Sequence, residues 1–114
     1  MKHLAQKIVG ELFKTGGDFL DIAIVVDFGK TTRLLWKGRD EAKMAVELEQ
    51  LLNRGGKALG LLAIRRHGNG FRLLTRTFGE YRNKPGIEAH MRRLMDSYAT
   101  EYARLGTGGG AWLN

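Results

Sequence analysis

Apolar residues over the first fifteen positions recur at helical spacing. Leu4, Ile8 and Leu12 form one stripe, Ala5, Val9 and Phe13 lie beside it, and Lys2, Lys7, Glu11 and Lys14 fall elsewhere. Gly16-Gly17 stops this helix. The period then shortens. Phe19 to Phe28 reads as a strand, with Ile22, Ile24, Val25 and Val26 as β-formers and Asp21 and Asp27 on a shared face. Gly29-Lys30 turns the chain, and Thr31 to Lys37 returns as a second strand. Thr32, Leu34 and Trp36 take one face of it, and Thr31, Arg33, Leu35 and Lys37 the other. Asp40 is placed as the N-cap of a second helix, which runs to about Asn53 and ends at Gly55-Gly56. Ala45, Leu48, Leu51 and Leu52 form its apolar face.

The second half repeats the scheme. Leu59 to Arg66 is a third strand and Phe71 to Phe78 a fourth. Between them Gly68-Asn69-Gly70 tolerates the positive φ of a tight hairpin turn. Alternation puts Arg72, Leu74, Arg76 and Phe78 on one face of the fourth strand and Phe71, Leu73, Thr75 and Thr77 on the other. Pro85 opens a long helix from about Gly86 to Arg104, with Ile87, Met91, Leu94, Tyr98, Tyr102 and Leu105 on its apolar stripe. Glu88–Arg92 and Arg92–Asp96 are i,i+4 pairs on its polar side. A short echo at an offset of 39 residues aligns Gly29–Leu35 with Gly68–Leu74, as two ββα units sharing one sheet would.

The expected fold class is therefore α+β, in the order α-ββα-ββα: a four-stranded antiparallel sheet with helices packed mainly on one face. Residues 1–106 form the single domain and residues 107–114 a Gly-rich C-terminal tail. Val25, Leu35 and Leu74 are candidates for the second face of the sheet, to be covered by the first helix or by a partner.

Composition narrows the chemistry. The chain has 114 residues and no cysteine, so disulfides, thiolate metal sites and a cysteine nucleophile are excluded. The longest apolar run, Ile22 to Val26, is strand-sized and too short to span a membrane. The N-terminus lacks the apolar core of a signal peptide, and a cytoplasmic location is expected. The net charge is +7, all of it from the second half: residues 1–53 balance eight Lys/Arg with eight Asp/Glu, whereas residues 54–114 hold eleven against four. Such asymmetry favours a polyanionic partner.

Gly29-Lys30-Thr31 resembles the tail of a P-loop, but Ile24 stands where that motif has its first glycine, and a strand rather than a helix follows. Asp27, Gly29 and Thr31 also match the Asp-x-Gly-x-Thr hairpin of the actin superfamily, a resemblance that implies phosphate binding. That family needs two large lobes around its nucleotide, and a tight turn needs the same residues. No metal site and no cofactor are expected. Asp21 and Asp27 are about 20 Å apart along an extended strand, and His3, His67 and His90 fall in three separate elements. Metal-free RNA cleavage would draw on Arg65, Arg66, His67, Arg72, Arg76, Tyr81, Arg82 and His90, which supply proton carriers and cations without a spacing signature. No catalytic residue is assigned.

The strongest functional signal is the basic set Arg65, Arg66, Arg72, Arg76, Arg82, Lys84, Arg92 and Arg93. It predicts nucleic-acid binding, DNA or RNA, led by phosphate contacts, because no sequence-reading motif accompanies it. The alternative is a protein-binding inhibitor or accessory module of mobile-element type, possibly homodimeric, with Trp112 docking after the glycine-rich tail. A metal-independent ribonuclease toxin is the third.

Overall fold

The computed structural model describes the backbone of residues 2–105 and 112–113 and the side chains of residues 2–100. Helix α1 spans Lys2–Thr15, strands β1 and β2 Asp21–Asp27 and Thr32–Trp36, helix α2 Glu41–Asn53, strands β3 and β4 Lys57–His67 and Gly70–Thr77, and helix α3 Pro85–Leu105. The order matches the α-ββα-ββα expectation. Four antiparallel strands lie in the order β2-β1-β3-β4, and a two-residue strand β5, Trp112–Leu113, adds parallel to the start of β4.

Local chemistry explains the boundaries. The Asp40 carboxylate accepts from the Lys43 N–H at 3.1 Å and caps α2, as expected. At the other end the Gly56 N–H donates to the Leu51 carbonyl and the Gly55 N–H to the Leu52 carbonyl, a paired closure of the last turn. The β3–β4 turn places Gly68 at φ 57°, the conformation that two-residue hairpin loops put on glycine. In the Asp27–Thr32 hairpin, the Asp27 carboxylate accepts from the Gly29 N–H at 3.2 Å and the Phe28 N–H donates to the Thr31 carbonyl. The residues of the actin-like match are thus occupied in making a turn.

The central strands are buried on both faces. Ile22, Ile24 and Val26 of β1, with Leu35, Leu61 and Ala63, pack against Ala5, Val9 and Leu12 of α1 and Met44, Leu48 and Leu52 of α2. Val25, Leu59 and Leu62 pack on the opposite side against Met91 of α3, joined by Leu34, Trp36, Ile87, Leu94 and Tyr98. Two of the three helices share one face, and α3 lies across the other. The assignment of second-face residues is corrected accordingly. Val25 does face away from α1 and α2, but α3 covers it. Leu35 packs with the α1–α2 core, and Leu74, opposite Ala63, lies on that same side. Consecutive residues of a strand point to opposite faces, so the register decides which helix each one meets.

A bulge sets that register. Val25 is opposite Gly60 while Val26 is opposite Ala58, so Leu59 is the extra residue in β3. Gly60 then lies under α3. A Cβ there would clash with the Arg76 carbonyl oxygen and fall 2.9 Å from both Met91 Cε and Thr77 Cα. Gly60→Ala is expected to lower stability by about 2 kcal/mol or more through overpacking against backbone. Urea denaturation, with the transition midpoint falling and the slope unchanged, checks it.

Candidate functional site

All eight basic residues singled out from the sequence are exposed. Strand register sorts them. Arg65 lies directly opposite Arg72, and Arg76 follows four residues along β4, all on the α1–α2 side. Arg66 lies opposite Phe71 on the α3 side. Arg82 and Lys84 sit in the connection after β4, at the far end of the sheet from the hairpin tip, separated from it by the length of β4, about 24 Å at ordinary strand rise. Arg92 and Arg93 belong to the third turn of α3.

Six of the eight therefore fall into two groups, and Lys84 and Arg93 stand outside both. At the tip, Arg65 lies over the Phe19 ring at 5.2 Å and Arg66 over the Phe71 ring at 5.9 Å. Such contacts are worth about 0.5–1 kcal/mol at exposed sites and hold the guanidinium planes against apolar surface. Lys84 makes the equivalent contact with Tyr81 at 5.5 Å. The second group lines a groove of about 330 Å³ between β4 and α3, where Arg76, Arg82 and Arg92 meet Thr75, Thr77 and Glu88. Arg76 and Arg82 also border a smaller cavity of about 170 Å³ on the α1 side, so they straddle the outer edge of β4.

None of the eight has a carboxylate within 4.0 Å among the described residues. The expected Glu88–Arg92 and Arg92–Asp96 pairs do not close to that distance. Glu88 instead accepts from the Asn83 N–H at 3.3 Å, ahead of the first turn of α3. Like charges directly opposite in a sheet are destabilising, so the Arg65–Arg72 pair runs against local stability with no carboxylate of the described residues in salt-bridge range.

The residues considered for RNA cleavage divide between the two ends of the sheet. His67 is exposed at the hairpin tip, whereas Tyr81 and His90 lie toward the opposite end. His90 Nε2 is 3.1 Å from Thr32 Oγ1 and 4.0 Å from Asp27 Oδ1. Both partners approach the same ring nitrogen, whereas a proton relay needs the carboxylate and the nucleophile on opposite nitrogens. Neither arginine-lined cavity reaches this cluster. Its evident role is to tie α3 to the β1–β2 hairpin. Sequence reasoning missed it because Thr32 and His90 are 58 residues apart and neither carries a local signal. No group of three His, Asp or Glu side chains suited to a metal ion occurs among the described residues.

A cavity of about 480 Å³ lies between α1 and the end of the sheet that carries Ala58 and Phe78. Its floor includes Leu4, Ile8, Ala58 and Phe78, and its charges balance, Lys7 and Lys57 against Glu11 and Glu80. It does not select a polyanion. The backbone of Trp112 pairs with Phe71 of its own chain, and its side chain lies outside the described residues. No helix among the described residues is long and apolar enough to cross a membrane. No protein-family profile matches the chain, and no curated protein or solved structure is significantly similar to it.

Tyr81 lines the larger cavity and packs toward Met91 of α3, and its phenol is raised above the usual tyrosine value by burial, then by the Glu80 and Asp27 carboxylates. A raised folded-state value means that the native state holds its proton longer than the unfolded chain. This contribution to stability is intact below the unfolded value and is lost as pH rises through the folded one. Tyr81→Phe is expected to lose less stability above about pH 10 than the unaltered protein, measured by denaturant midpoints across an alkaline pH series.

Proposed function

We propose that the protein binds nucleic acid without catalysing a reaction on it, through phosphate contacts from the β3–β4 hairpin and the adjoining turns of α3. The observation that carries this reading is the set of exposed guanidinium groups that no carboxylate among the described residues pairs with, including two held directly opposite one another in the sheet. A basic surface kept only for solubility has no need of that repulsive arrangement, and a phosphate between the two arginines would relieve it.

The fold also favours the backbone over the bases. Both faces of the central strands are covered by helices, so no open sheet is left on which bases could stack in series. What remains is charge at a tip and along an edge, which follows phosphates and reads little sequence.

Fluorescence anisotropy with labelled generic nucleic acids across a salt series tests this directly. With about five phosphate contacts, the logarithm of affinity is expected to fall against the logarithm of salt with a slope of about −4 on duplex DNA. Absence of binding to either duplex or single strand at about 50 mM salt would sink the reading.

A further inference from the structure

The groove between β4 and α3 differs from the hairpin tip in what its arginines are doing. Arg65 and Arg66 rest on aromatic rings, whereas Arg76, Arg82 and Arg92 make no hydrogen bond, ion pair or ring contact among the described residues. Three unengaged guanidinium groups thus border one recess. Thr75 and Thr77 line the same recess, and neither hydroxyl is hydrogen-bonded among the described residues. Glu88 is the one carboxylate in the lining, and it is held by the Asn83 N–H.

Resting on the nucleic-acid reading above, we infer that this groove is the principal phosphate seat and that it takes a single strand in preference to a duplex. Shape supplies the reason. A duplex offers its phosphates on a convex cylinder and is met by elements that protrude into its grooves. Here the cations surround a concavity between a helix and a strand edge, with Met91 and Met95 at its floor. A flexible strand can lower a phosphate into such a recess, where Arg forks bond it bidentately and hydroxyls complete its shell. The edge of β4 contributes as well. The Phe78 N–H donates inward to Leu59, so the ladder leaves the Thr75 and Thr77 N–H groups on the outer side. Beyond Arg72, the described residues place no strand beside that edge. Phosphate oxygens at the groove would therefore meet charge, hydroxyl and amide donors together.

The test uses the full chain and a labelled single strand of about twelve nucleotides, as DNA and as RNA, beside the duplex of the same sequence. Two triple variants are compared with the unaltered protein. One is Arg76→Gln with Arg82→Gln and Arg92→Gln, and the other is Arg65→Gln with Arg66→Gln and Arg72→Gln. The unaltered protein is expected to bind the single strand more tightly than the duplex. The groove variant is expected to lose at least about tenfold in single-strand affinity, and its salt slope to become shallower by about 2, the value for three phosphates on single strands. The tip variant is expected to lose less. Tighter binding to the duplex, or loss confined to the tip variant, overturns the inference while leaving the nucleic-acid reading intact. Failure of the unaltered protein to bind any probe removes both. Should the groove triple variant not fold, as judged by circular dichroism, Arg82→Gln alone is read the same way. Its side chain is exposed, and an unchanged single-strand affinity in that variant counts against the seat.

Discussion

Everything in this structure depends on burying the two central strands on both sides at once. Ile22, Ile24 and Val26 of β1 point one way and Ala23 and Val25 the other, and all five are essentially inaccessible to water. Leu59, Leu61 and Leu62 of β3 divide between the two sides in the same manner. Fully burying a residue of the Val or Leu class is worth about 1.5–3 kcal/mol, so leaving either face bare would cost several such increments. One layer of helices cannot serve both faces. The packed pair of α1 and α2 closes one, and α3 must cross the other.

The position of α3 follows from a narrow set of contacts. The bulge at Leu59 brings Gly60 beneath Met91, and only the absence of a side chain there lets the helix come close. Trp36 and Tyr98 meet with ring centroids 5.5 Å apart further along. Near the start of the helix, His90 is tied to Thr32 and lies beside Asp27, the residue that also organises the β1–β2 turn. The turn and the helix therefore share a carboxylate. The segment that resembles a nucleotide motif thus supplies the Thr32 bond to His90 of α3 and the carboxylate beside it.

Covering both faces displaces polar chemistry to the rim. The guanidinium groups lie along the outer strand, around the hairpin tip and on the near flank of α3, because these are the places where the fold leaves β3, β4 and α3 in contact with water. Charge on an outer strand also opposes unwanted pairing with other chains. Beyond Arg72 the exposed Arg76 therefore opposes such pairing along β4. The groove is a by-product of this geometry: α3 covers the face beside β4, and the gap between them is walled by the side chains the two elements present.

The order of elements, the Asp40 cap, the glycine closure of α2 and the hairpin turn were legible in the sequence, because each is decided by residues within a few positions of one another. So was the division of β4, which puts Arg72 and Arg76 on one face and Thr75 and Thr77 on the other, since strand alternation is fixed by the backbone. The helix that covers Val25 could not be read, because the path of α3 settles it, nor the face taken by Leu35, because its register opposite Ile24 of β1 settles that. The bond between Thr32 and His90, and the meeting of Arg76, Arg82 and Arg92, join residues from separate elements with no local pattern to announce them. Short-range geometry is written in neighbouring side chains. Which exposed cations share a recess depends on how whole elements cross, and that is fixed only when both faces of the sheet have been closed.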